Sequence, residues 1–143
     1  MIGRGLAATL TALALGAACD RTPSVHGCDD DLTGVWRGPG GAWQLLTTRG
    51  GRELYPIDAE LPTDLPPGVV AAPATIDLPR AGVGAITRRY ERGARFCKMT
   101  GPARLTACGG AGLTLELAPP PPPDDWERCV GAAAAPRVVA LTR

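Results

Sequence analysis

Apolar and polar residues alternate in short runs along most of the chain, and glycine or proline ends each run. This is the pattern of β-strands joined by tight turns. The alternation is cleanest at 113–117, where Leu113, Leu115 and Leu117 define one face and Thr114 and Glu116 the other. Similar runs predict strands at 33–38, 43–49, 52–58, 83–91, 94–100, 103–108 and 137–143, the last with Val139 and Leu141 on one face. A short edge strand is expected at 75–78. Gly50-Gly51 suits the positive backbone angles of a hairpin turn. Residues 61–73 carry four prolines and read as a long connection, because proline cannot donate to a strand ladder. Pro119 to Pro123 form a stiff polyproline spacer, read as a linker crossing one end of the domain. Ala132 to Ala135 have room for one helical turn between Gly131 and Pro136.

Consecutive hairpins must bury one face and protect their edges, and closing the sheet does both. The expected fold is all-β, a small antiparallel meander barrel with a two-sheet β-sandwich as the alternative. Only residues 1–18 depart from the pattern. Arg4 is followed by 13 uncharged residues, 6–18, too few for a membrane-spanning helix of about 20. This is an export signal. It leaves a short polar tether at 19–27 and a single β-domain at 28–143.

Leu15-Gly16-Ala17-Ala18-Cys19 resembles a bacterial lipobox, with Gly16 where that family usually has leucine. The resemblance implies cleavage before Cys19, a diacylglyceryl thioether on its sulfur and usually an N-acyl group such as palmitate. The chain would then be a lipoprotein held on the bilayer of the cell envelope, facing the periplasm or the exterior. An ordinary signal peptide cut at the same alanine pair is the alternative, and either implies export.

Composition sharpens this picture. The full chain of 143 residues carries 15 basic and 14 acidic side chains, a formal charge of +1. That balance makes no case for a nucleic-acid partner. Residues 19–143 contain 24 Leu, Ile, Val and Phe, just under the roughly 20% below which a core becomes doubtful. In an oxidising compartment a thin core predicts disulfides. With Cys19 assigned to lipid, Cys28, Cys97, Cys108 and Cys129 form an even set with three possible pairings. The favoured one is nested, Cys97 with Cys108 across a hairpin and Cys28 with Cys129 joining the ends; the interleaved pairings stay open.

Catalysis lacks raw material. Ser24 and His26, the sole serine and histidine, fall in the tether. Glu53 and Asp58 offer carboxylates, but nothing in the sequence sets their separation. No enzyme, cofactor or metal centre is expected. Asp29 to Asp31 and Asp124, Asp125 and Glu127 would meet if Cys28 bonded Cys129, and such a cluster suits calcium; solvated turns are the alternative.

Two features point to binding. Gly34-Val35-Trp36 resembles the G-x-W signature of lipocalins and related ligand-binding barrels. In that family the tryptophan packs at the closed end beneath an arginine from the last strand, a role the resemblance gives to Arg137 or Arg143. The alternative makes Trp36, like Trp43, a large core residue. Arg88, Arg89, Arg92 and Arg95, with Lys98 nearby, form the densest basic stretch, suited to phosphate or anionic headgroups or else a solvated strand face. Together these predict a non-catalytic module that binds a small apolar ligand or a secreted protein. An inhibitor of a secreted hydrolase, using the 61–73 loop, is the alternative.

Overall fold

The computed structural model of the chain describes Cys28 and residues 31–80, 83–109 and 111–143. The expected export signal at 1–18, Cys19 and the expected tether at 19–27 lie outside the described residues. Nine strands are described: β1 (Gly34–Gly38), β2 (Gly41–Thr48), β3 (Gly51–Ala59), β4 (Val69–Ala71), β5 (Thr75–Pro79), β6 (Gly84–Arg92), β7 (Arg95–Cys108), β8 (Gly112–Leu117) and β9 (Arg137–Thr142).

Eight of them close an antiparallel barrel in the order β1-β2-β3-β5-β6-β7-β8-β9, with β9 returning to β1 at Thr142 and Arg37. An even number of up-and-down strands lets every neighbour, the closing pair included, run antiparallel. The ninth strand, β4, is an extension of β5. Both pair with β6, β4 at Tyr90 to Arg92 and β5 at Ala85 to Thr87, and between them the Ala72 amide donates to the Arg89 carbonyl at 2.8 Å. Pro73, which has no N–H, separates the two.

The alternation read from sequence sets the inner face. Leu113, Leu115, Leu117, Val139 and Leu141 are all buried, together with Trp36, Leu45, Leu54, Ile76 and Ile86. A second, smaller cluster of Tyr90, Cys97, Met99, Val69, Ala71 and Trp126 lies where the β6–β7 hairpin runs past the barrel rim. Two connections cover it there. Residues 60–68 supply Leu65 before β4, and 118–136 supply Trp126, while the Tyr90 hydroxyl donates to the Pro120 carbonyl at 2.6 Å.

Several sequence expectations change. The strand at 75–78 is not an edge strand, since β5 lies between β3 and β6. Residues 132–135 form no helical turn and run irregularly into β9. The two strands expected at 94–100 and 103–108 are one, β7. Gly101-Pro102 lies within the continuous strand next to the point where β7 changes partners, with β6 paired as far as Ala103 and β8 from Ala103 onward. Glycine is required at 101 by close approach, because a Cβ there would stand 1.9 Å from the Ala118 carbonyl oxygen.

The continuity of β7 also overturns the nested disulfides. Cys28 bonds Cys108 and Cys97 bonds Cys129, an interleaved pattern. Without a hairpin at Gly101-Pro102, Cys97 and Cys108 belong to opposite ends of one long strand. At roughly 3.3 Å per residue they are about 30 Å or more apart, far beyond disulfide reach. The Cys28–Cys108 bridge ties the chain's entry to the end of β7 at one end of the barrel. The Cys97–Cys129 bridge ties the 118–136 connection to the β6–β7 hairpin at the other.

Candidate functional site: the open end of the barrel

The two ends of the barrel are built differently. At one end the chain enters through Leu32, fully buried, whose carbonyl accepts from the Trp36 indole Nε1 at 2.8 Å. Arg143, just past β9, lies over the Trp36 ring at 4.9 Å and donates to the carbonyls of Asp31 and Thr33. This end is filled. Of the two arginines named for that position, Arg143 occupies it and Arg137 lies at the other end.

The other end holds a cavity of about 680 Å³, within the roughly 300–1,000 Å³ of small-molecule sites. Its floor is apolar and belongs to the barrel core: Ala74, Ile76, Ile86, Leu117 and Val139. Trp43 forms part of the wall, and Glu60, Leu61 and Asp64 from the connection after β3 form part of the mouth. The opening exists because β1 is short. It ends at Gly38 and meets β9 only at Thr142, so Arg137 and Val138 border the cavity, and Val138 is 70% exposed.

The structure splits the basic stretch. On β6 the inward positions are Ile86, Arg88 and Tyr90, so Arg88 turns into the cavity between the barrel core and the second cluster. Its Nε is buried without a hydrogen-bond partner, and it makes no ion pair among the described residues. The other three are engaged elsewhere. Arg89 pairs with Glu91 at 2.9 Å and lies over Phe96, Arg92 lies over Trp126, and Arg95 pairs with Glu127 at 3.4 Å. Lys98 is exposed on the outer face of β7. The cluster is therefore not a single anion-binding face.

Of the acidic groups, Asp29 and Asp30 lie outside the described residues, and Asp31 is not brought to Asp124, Asp125 and Glu127. Cys28 and Cys129 sit in different bridges at opposite ends of the barrel, so the premise for a shared calcium site is gone. Asp31 and Asp125 serve local backbone instead. Asp31 accepts from the Thr33 amide at 3.0 Å, and Asp125 accepts from the amides of Glu127 and Arg128 at 2.9 and 3.1 Å. Glu53 and Asp58 are five residues apart on β3, roughly 17 Å along an extended strand. Paired catalytic carboxylates stand about 5–9.5 Å apart.

Reading the basic stretch as a unit missed what the period of two contains: Arg88 shares its parity with Ile86 and Tyr90, which marks it as inward. Glu60 and Asp64 carried no such signal, since they lie in a connection with no repeating pattern. Comparison with known families, with curated proteins and with solved structures gives no match for this chain.

Proposed function

We propose that this protein is a ligand-binding barrel of the bacterial envelope, anchored by lipid on Cys19 and receiving a small apolar molecule in its open end. The observation that carries the reading is the asymmetric interior. One end is sealed by Leu32, Trp36 and Arg143, while the other leaves a cavity floored by Ile76, Ile86, Leu117 and Val139. A barrel serving only as a scaffold gains stability by filling such a space. The Trp36–Arg143 stack adds support, because it is the arrangement that the lipocalin resemblance implies.

The inhibitor reading needs a protruding, rigid loop at 61–73. That segment is instead drawn inward, with Leu65, Val69 and Ala71 packed in the second cluster. The cavity thus gives the ligand reading the stronger support.

The test is titration of the purified domain with a neutral, environment-sensitive apolar fluorophore. Saturable binding is expected, and Ala74→Phe, which fills the floor, should abolish it without unfolding the barrel. A wild-type domain that binds no apolar probe overturns the reading. The anchor is tested separately: Cys19→Ser should move the protein from the membrane fraction to the soluble one, and unchanged partitioning counts against lipidation.

A further inference from the structure

We infer that the cavity selects amphiphiles with a single carboxylate head, and that Arg88 is the group that recognises it. The inference rests on the ligand-binding reading above and adds the chemical class of the ligand.

Arginine is rarely turned into the inner face of a small barrel, because a buried guanidinium must be hydrogen-bonded to offset its lost hydration. Arg88 occupies such a position, half-buried between the inward residues Ile86 and Tyr90; its Nε, like that of Arg52 away from the cavity, is buried without a partner, and no carboxylate of the described residues pairs with it. The neighbouring arginines show what the chain does when such a group is structural. Arg89, Arg92 and Arg95 each have a carboxylate, an aromatic ring or both. Arg88 alone of the four lines the cavity.

The rest of the cavity fixes the remainder of the ligand. Its floor is aliphatic, and the other charges that line it are exposed: Glu60 and Asp64 in the connection after β3, and Arg137 at the rim, where β9 begins with the inward parity of Val139 and Leu141. Of the two guanidinium groups that line the cavity only that of Arg88 has a buried, unpartnered Nε, and it matches one planar head, which it can engage in a bidentate pair. The Ile76, Ile86 and Val139 surface accommodates an aliphatic body. At the mouth the two carboxylates of Glu60 and Asp64 outweigh the single charge of Arg137, which favours a head seated at Arg88.

The experiment compares decanoic acid with decanol, at about pH 8 where the acid is ionised, by displacement of the neutral apolar fluorophore from the full domain. Wild type should bind the acid at least about tenfold more tightly than the alcohol, the size expected for a charge-assisted hydrogen bond. Arg88→Gln should remove that preference while leaving decanol affinity within about twofold, and Arg88→Lys should restore part of it. The wild-type comparison requires no variant to fold. Equal affinity for acid and alcohol in wild type, a preference that survives Arg88→Gln, or tighter binding of decyl phosphate than of decanoic acid overturns the inference while leaving the cavity reading intact. Binding of neither the fluorophore nor decanol overturns both.

Discussion

The guanidinium of Arg143 stands over the Trp36 indole at 4.9 Å and also donates to the carbonyls of Asp31 and Thr33. One side chain therefore fastens the last strand to the chain's entry across the seam where β9 meets β1 through a single residue pair. Arg143→Ala should lower stability by about 1 kcal/mol, the size of a partly shielded cation–π contact. Urea unfolding followed by tryptophan emission reads this directly. Arg137→Ala, at the opposite end of β9, should leave the midpoint unchanged.

The two disulfides close loops of different length, 80 and 32 residues in sequence separation. Chain-entropy arithmetic assigns them roughly 4.5 and 3.7 kcal/mol, each a large share of a domain's stability. The paired substitution Cys28→Ser with Cys108→Ser should therefore cost somewhat more than Cys97→Ser with Cys129→Ser. Peptide mapping of the unreduced protein should yield the 28–108 and 97–129 linkages. A Cys97–Cys108 peptide would contradict the continuous β7.

Tyr90 is almost fully buried, and its hydroxyl holds the Pro120 carbonyl at 2.6 Å. Tyr90→Phe keeps the ring packing and strands that carbonyl, which should cost about 1–2 kcal/mol. Hydrogen exchange should show the loss locally, with faster exchange of the Ala118 amide, which donates to the Pro102 carbonyl on β7, and of the Asp124 and Val130 amides, which bond within the 118–136 connection. An unchanged exchange pattern would mean that the disulfide alone positions this segment.

Gly101 faces the Ala118 carbonyl so closely that a Cβ would stand 1.9 Å from it. The obstacle is backbone on both sides, so neither partner can step aside by rotating a side chain. Gly101→Ala should destabilise the fold by about 1–3 kcal/mol, the usual range for overpacking. Gly109→Ala, where a Cβ meets nothing within 4 Å, is the matched control.

Asp31 is held below an aspartate's ordinary value of 3.8, chiefly by its hydrogen bonds to the Thr33 side chain and backbone and further by the Arg143 charge. A depressed folded-state value means that this contribution is fully present above the ordinary value and is lost as pH falls through the folded one. Melting temperature should therefore decline on acidification below about pH 4. Asp31→Asn should flatten that decline without altering stability near neutrality by more than a small amount.

Much of the barrel was legible because its inner face repeats with a period of two. Leu113, Leu115 and Leu117 name that face without help, and Val139 and Leu141 continue it on the neighbouring strand. What could not be read was set by tertiary placement. Gly101-Pro102 has the composition of a turn, yet pairing to β6 on one side and β8 on the other carries the strand through it. The disulfide pattern depended on that one dipeptide, because it decides whether Cys97 and Cys108 face each other or lie at opposite ends. The cavity was hidden for a related reason. It comes from what β1 lacks, a full-length pairing with β9, and an alternation of apolar residues does not record where a neighbouring strand stops.

The interleaved bridges have a consequence for a protein exposed to proteases. The loops they close, 28–108 and 97–129, overlap within β7, so every peptide bond from Cys28 to Cys129 lies inside at least one covalent ring. A single nick at an accessible point such as the 60–68 connection, a favoured kind of cleavage site, opens a ring but sheds no fragment. The clipped protein keeps its mass without reduction and separates into two pieces only in a reducing gel.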